Sequence, residues 1–297
     1  MIHEGMSHPT MNNSRRRRLR TTVAKGWRRK FYDTLFEAVS VYKHPKIQNL
    51  NLHFPQKKEP TMETVSLLTI TQWKRRACLP ILADMIREQT YSNIVEWVLV
   101  EGSPTEEESL QNRAALASLK APCPVRIVTP PTPVPLGALR QLANEAAVGD
   151  VRVVLDDDDY YPPERVKHAV ERLRTSTAHL AGCSPMLTAD YTTDTVYQWR
   201  FIHSRHSVSA CMAWKRSYAG AYDPTERVSD EFAFTREFRA PMVQLDPAKT
   251  IVQSRHGGNT YAKKLEASQH VLELQDALPL HVPLHYCERL RTALTCC

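Results

Sequence analysis

Short apolar runs rich in β-branched residues recur along the chain at 65–70, 94–100, 125–128 and 151–155. Between them the apolar spacing changes. Leu79, Leu82, Ala83 and Ile86 lie on one face of a helix over 79–88, a surface helix is predicted over 106–120, and another over 136–148. Strands alternating with helices at this spacing predict βαβ units, and therefore an α/β fold with a mostly parallel central sheet flanked by helices. The carboxyl ends of three strands then converge, carrying Thr69 and Thr71, Glu101, and Asp156 to Asp159. Beyond Arg174 the pattern loosens. Residues 197–202 and 207–214 read as strands, Asp230-Glu231 as an acidic pair opening a helix, and 250–252 as a short apolar strand.

Ahead of the first strand the pattern is different. Val23, Trp27, Phe31 and Leu35 recur every four residues with Lys25, Arg28, Arg29 and Lys30 between them, which predicts a basic amphipathic helix. Its stripe either packs on the main domain or docks on an anionic membrane. Arg15 to Arg18 and Arg20 form a solvated arm, with nuclear import or RNA contact as the alternative. Residues 44–60, with Pro45, Pro55 and Pro60, read as a linker. The predicted organisation is thus a basic helical N-terminal extension over 1–60, a catalytic domain over 61–261 and a helical C-terminal tail over 262–297.

Charge sharpens this division. The net charge is +7, but residues 1–60 hold 13 Lys/Arg against 4 Asp/Glu, while the remainder holds 26 against 28. The basicity belongs to the extension, so nucleic acid is not expected as a partner of the domain. With 42% hydrophobic residues the 297-residue chain can build a substantial core. No run of eighteen apolar residues and no signal-peptide pattern occurs, so a cytoplasmic protein is expected, with peripheral membrane contact through the basic helix as an option. Seven scattered cysteines without a Cys-x-x-Cys arrangement suit reduced thiols better than a disulfide framework or a zinc site. The terminal Cys296-Cys297 pair is either two thiols on a frayed end or a lipidation site.

The chemistry concentrates at Asp156-Asp157-Asp158-Asp159. A buried strand running straight into four carboxylates and then into Tyr160-Tyr161-Pro162-Pro163 gathers like charges that repel. A divalent cation with a phosphorylated substrate relieves that repulsion.

These strings, in order, resemble the family 2 glycosyltransferases of the GT-A (Rossmann-like) fold. The likeness runs through Val65-Ser66-Leu67-Leu68-Thr69, Gln89-Thr90-Tyr91-Ser92-Asn93 and Val98-Leu99-Val100-Glu101-Gly102-Ser103. It continues through Gly137-Ala138-Leu139-Arg140-Gln141, Ala147-Val148-Gly149-Asp150 and Leu155 to Asp159, and covers roughly 63–260. The resemblance implies a nucleotide-sugar donor, with UDP favoured, and a glycan, protein or lipid acceptor. It implies that Glu101 takes the base, that Asp156 takes the ribose side, and that Asp158 takes a Mn²⁺ or Mg²⁺ ion, with Asp157 and Asp159 as neighbours. Arg140 matches a donor-binding arginine, and Thr69 and Thr71 border the base and ribose.

The same resemblance makes Asp230-Glu231 the source of the base in an inverting reaction. The family's order is Glu-Asp, so which of the two acts is left open. Late in the domain, His256 in Arg255-His256-Gly257-Gly258 matches a histidine that completes the metal shell or clamps the diphosphate. Two departures stand out. Glu101 replaces the family's usual aspartate, and Ile70 and Gln72 stand where Pro and Asn are common. A sugar nucleotidyltransferase is the nearest rival, but Thr71-Gln72-Trp73-Lys74-Arg75 lacks the glycine-rich phosphate loop it needs. The other alternative is a catalytically inactive binding or structural protein that keeps the fold and is tethered by its arginine-rich arm.

Overall fold

The computed structural model describes residues 62–259, 270–273 and 282–295. The extension with its predicted helix, the linker and the Cys296-Cys297 pair lie outside the described residues.

The centre of the molecule is β1 (Val65–Thr71), buried at all seven positions. The strand is covered on both faces, so its hydroxyl residues Ser66, Thr69 and Thr71 are buried along with its apolar ones. It pairs in parallel with β2 (Ile94–Glu101) on one side and β4 (Val151–Val154) on the other, and β2 pairs in parallel with β3 (Val125–Val128). Side chains alternate between two cores. Val65 and Leu67 join the one that includes α1 (Leu79–Arg87) and α4 (Arg165–Arg174). Leu68 and Ile70 join the one that includes α3 (Leu136–Ala146). The surface helix α2 (Glu106–Ala117) starts at Thr105, whose hydroxyl accepts from Glu108 N at 3.2 Å, with three glutamates in its first turn. Cap and acids both answer the unpaired amides and positive end of a helix start.

Beyond β4 the sheet changes direction. Strand β8 (Ala213–Lys215) runs antiparallel to β4, and β5 (Leu180–Gly182) and β9 (Met242–Gln244) complete the order β3-β2-β1-β4-β8-β5-β9. A second sheet has the order β10-β6-β7-β11, with β6 (Leu187–Asp190), β7 (Thr195–Gln198), β10 (Val252–Arg255) and β11 (His270–Glu273). The two sheets are stitched at the acidic turn. Tyr160 and Val252 exchange backbone hydrogen bonds of 3.0 and 2.9 Å, and Asp159 Oδ1 accepts from Ser254 N at 2.7 Å. The helix α6 (Leu284–Thr295) buries Tyr286, Cys287, Leu290, Ala293 and Leu294, and its Arg289 reaches Asp84 of α1 at 2.7 Å. Among the described residues no helix is long and apolar enough to cross a membrane.

Three predicted strands differ from what forms, and the one expected over 250–252 forms later, as β10. The segment 207–214 is not continuous, because a 3-10 turn at Ser209–Cys211 precedes β8 and lets Ser209 Oγ donate to Asp230 at 2.8 Å. The strand expected over 197–202 lies earlier, at β7. Trp199 N still donates to Met186 O, but Phe201 and Ile202 are each 57% exposed, so their apolar character does not mark a sheet position. The short β5, β6 and β9 carry too few residues to show a period, and β11 is a strand within the tail that the pattern predicts as helical over 262–297, because it pairs with β7.

Gly137, in the first turn of α3, sets the approach of this helix to the loop at Asp223. A Cβ there would lie 1.9 Å from the Asp223 carbonyl oxygen. Gly→Ala in an open helix stabilises by about 1 kcal/mol. Here Gly137→Ala is expected to destabilise, by about 1–3 kcal/mol as for overpacking, and the sign is read from chemical denaturation.

Candidate active site

The register of the parallel strands decides where the acids emerge. Leu68 pairs with Val154, and Leu155 N donates to Leu68 O at 2.9 Å, so Asp156 to Asp159 begin where the sheet runs out. This edge, at the carboxyl ends of the strands, is where open α/β sheets take their ligands. Tyr161 braces the turn by placing its hydroxyl 2.7 Å from Asp156 N. A cleft of about 280 Å³ opens there, lined by Asp156, Asp158 and Asp159 on one side and by Ser209, Asp230 and Glu231 on the other. Met186, Trp199, Ile202 and His206 form its less polar wall.

Arg140, 7% exposed, joins the two sides. Its Nη1 and Nη2 donate to the two oxygens of Asp156 at 2.6 and 2.9 Å, and its Nε donates to Asp230 Oδ2 at 3.1 Å. Burial opposes the guanidinium charge, but Asp156 and Asp230 outweigh it and hold the arginine above its ordinary value. Asp230, 5% exposed, is thus held by two donors, Arg140 and Ser209. Its neighbour Glu231 opens the four-residue helix α5 (Glu231–Phe234), where burial and then the charge of Asp230 push its carboxyl up to about 7. The residue before the pair, Ser229, has φ 55°, a left-handed conformation costly for a residue with a Cβ. Two adjacent acids in one cleft therefore have different environments.

The remaining acids are held from below. Asp157 has a side chain sealed from solvent and lies 3.0 Å from Arg75 Nε. Burial pushes its carboxyl up to about 8, with Arg75 and Thr71 opposing the rise and Asp158 and Asp156 adding to it. Asp158 Oδ2 receives Arg75 Nη1 and His256 Nε2, each at 3.1 Å, and Asn259 Nδ2 at 3.4 Å. His256, 6% exposed, is kept in position by its own loop, its N–H donating to Asn259 Oδ1 at 2.7 Å.

Of the residues singled out in the sequence, the structure brings Asp156, Asp158, Arg140, Asp230 and Glu231 together around the cleft, with Asp157 and His256 packed directly behind Asp158. Thr69, Thr71 and Glu101 do not line it. Thr69 is fully buried, its hydroxyl accepting from Trp97 Nε1 at 2.9 Å and donating to Leu155 O, so it braces β2 and the exit of β4. Thr71 lies against Asp157. Glu101 is 2% exposed, and its Oε1 accepts from both Ser103 N at 2.8 Å and Asn112 Nδ2 at 3.2 Å. Sequence reasoning missed Arg75, Ser209 and Asn259. For Arg75 a signal existed: a basic residue four positions past a strand whose parallel neighbour ends in four acids.

Cation binding can be tested on the donor set. Among the described residues, no three Asp, Glu, His or Cys side chains gather as a ready cage. Asp158 and His256 offer two donors. That fits an ion that takes its remaining ligands from diphosphate oxygens and water, as Mg²⁺-type ions in nucleotide sites do.

Removing one member of a buried charge network strands the others. Arg140→Ala is expected to destabilise the domain by about 3–5 kcal/mol, measured by urea denaturation. Asp156→Asn in the Arg140→Ala background should recover part of the loss.

A sequence profile described as "Glycosyl transferase family 2" matches residues 70–235. No curated protein sequence matches the chain. Among solved structures, S. aureus TarS 1–349 in complex with UDP-GlcNAc superposes with a TM-score of 0.52 at 13% identity, covering 68% of this chain and 62% of that one. The mannosyltransferase PcManGT from Pyrobaculum calidifontis, in complex with GDP-Man and Mn²⁺, superposes with a TM-score of 0.50 at 16% identity, covering 65% and 57%. The chain thus spans less than two thirds of the length of either. At these identities the likeness concerns the fold, a GT-A arrangement of mostly parallel sheet and flanking helices. The family profile spans more than half of the chain and takes in the acid run, Arg140 and the acidic pair, and on that ground the chain belongs to glycosyl transferase family 2.

Proposed function

We propose that the protein is a metal-dependent, inverting glycosyltransferase that moves a sugar from a nucleotide-sugar donor, a UDP-sugar by preference, to a hydroxyl group of a glycan, protein or lipid acceptor. The observation that carries this reading is the pairing across the cleft. Arg140 ties Asp156 of the acid run to Asp230 of the acidic pair, and Glu231, pushed up to about 7, stands beside them. The ligands named for the two similar structures, UDP-GlcNAc in one and GDP-Man with Mn²⁺ in the other, support the donor class and the ion.

In this reading the donor side is built by the acid run. Glu101 lies outside the cleft at the end of β2 and takes the base there through Oε2, the oxygen that takes neither of its bonds from Ser103 and Asn112. Thr69 and Thr71 act from behind, bracing the strand ends. Arg140 holds the Asp156 carboxylate for the ribose, and Asp158 with His256 would hold Mn²⁺ or Mg²⁺, with Asp156 adjacent. When bound, the ion neutralises the charge that develops on the leaving diphosphate.

The acceptor side is built by the pair. A general base must lose its proton near working pH and must not be neutralised by a fixed partner. Asp230 is held by Arg140 and Ser209, which suits orienting an acceptor hydroxyl. Glu231 suits taking the proton of that hydroxyl as its oxygen attacks the anomeric carbon. Environments that drive neighbouring acids apart are the usual guide to such a division of roles.

Hydrolysis of a panel of sugar nucleotides with Mn²⁺ present is expected for at least one donor and is expected to be lost in Asp158→Ala; failure of every sugar nucleotide to bind with metal present would end the reading. Below about 7 the Glu231 carboxyl is protonated and cannot accept a proton, so kcat/KM for transfer should fall about tenfold per pH unit on the acid side. Glu231→Gln should lower kcat by about 10²–10⁴ with donor affinity unchanged. A flat pH profile, or a full-rate Gln variant, would remove Glu231 from the role.

A further inference from the structure

Arg75 has no part in the roles assigned so far. It sits in the 3-10 turn Trp73–Cys78 directly after β1, its side chain is 12% exposed, and it lines the cleft. Trp73 N donates to Ser103 Oγ at 2.9 Å and the Arg76 guanidinium lies 3.9 Å over the Trp73 ring, so Trp73 fixes the start of the turn that carries Arg75. Its guanidinium spans two consecutive acids, with Nε 3.0 Å from Asp157 Oδ1 and Nη1 3.1 Å from Asp158 Oδ2. The oxygen it occupies on Asp158 is the one that also faces His256 Nε2. A divalent cation seeking Asp158 and His256 therefore meets a positive charge already in contact with that oxygen.

We propose that Arg75 is a resident counter-ion of the acid run that makes cation entry depend on the nucleoside diphosphate. This rests on the transferase reading. Without diphosphate the guanidinium has no acceptor better than Asp157 and Asp158, and it keeps the ion out by occupying the carboxylate and by repulsion. A diphosphate supplies oxygens that a two-armed guanidinium binds well. Arg75 then turns from Asp158 to the phosphates, and the vacated carboxylate oxygen faces the ion. The nucleotide and the ion consequently raise each other's affinity, and the coupling is reciprocal. The fork matters as well as the charge, because an ammonium cannot hold both acids at once.

The test is Mn²⁺ binding to the full chain, read by electron paramagnetic resonance of the free ion, with and without UDP or GDP. The expected result is that Arg75→Gln binds Mn²⁺ about tenfold more tightly than the unmodified protein when no nucleotide is present, while the enhancement by nucleotide shrinks by a similar factor. Arg75→Lys is expected between the two. Equal nucleotide-free Mn²⁺ affinity in a folded Arg75→Gln and the unmodified protein would overturn the proposal. Should Arg75→Gln fail to fold, equality between Arg75→Lys and the unmodified protein would do the same. Binding of nucleotide with no Mn²⁺ bound to any variant also overturns it, while leaving a metal-independent transferase standing. If neither UDP nor GDP binds to any variant, with or without Mn²⁺, the transferase reading itself falls and the coupling with it.

Discussion

Four carboxylates at the end of a buried strand are the constraint around which the rest of the site is arranged. Like charges in a tight turn raise one another's energy and cannot all be left to water when the turn is roofed by a second sheet. The chain answers with two arginines from different elements. Arg140, from α3, takes Asp156, and Arg75, from the turn after β1, spans Asp157 and Asp158. Asp159 is treated differently, accepting the amide of Ser254 in β10. The four acids are thus attached to three different parts of the fold. The turn cannot shift without disturbing β1, α3 and the second sheet together.

That arrangement also links the two halves of the proposed reaction. Arg140 carries three donor nitrogens in one rigid plane, two directed at Asp156 and one at Asp230. A lysine could not satisfy both, because a single ammonium has no fork. The distance between the two sides of the cleft is therefore set by one side chain. Ser209 gives Asp230 a second donor, and the 3-10 turn that interrupts the expected strand exists at the point where that serine is presented.

The first half of the domain was legible because its elements are long and its periods clear. The strand at 65–70, the helix at 79–88 and the run ending in Asp156 all lie close to where the hydrophobic pattern puts them. The second half was not. Strands of three or four residues such as β5 and β9 are set by pairing with distant neighbours, and no local pattern announces them. The acids were visible because their clustering is improbable without a ligand or counter-charge. Arg75 carries no signal of its own in the sequence: a phosphate loop is marked by glycines, and a lone arginine has no period. Thr69 illustrates the opposite limit. Its position at the strand end was read correctly, but only the three-dimensional contact with Trp97 and Leu155 tells that its hydroxyl serves the scaffold.

The charges of the cleft lead to one further step. Burial pushes the Asp157 carboxyl up, and Arg75 opposes the rise. Asp156, Asp158, Asp159, Asp230 and Glu231 line the cleft together with Arg75, Arg140 and Arg227, an excess of acids over arginines of five to three. A divalent cation carries charge of the sign that offsets this excess. A diphosphate entering alone would add to the excess, and an ion entering alone would have to displace Arg75 from Asp158 with no other acceptor on offer. Entering together, each supplies what the other lacks: the ion balances the acids, and the diphosphate receives the arginine. The acid run is in this sense built for a pair of ligands, and Arg75 is the element that distinguishes a pair from either member alone.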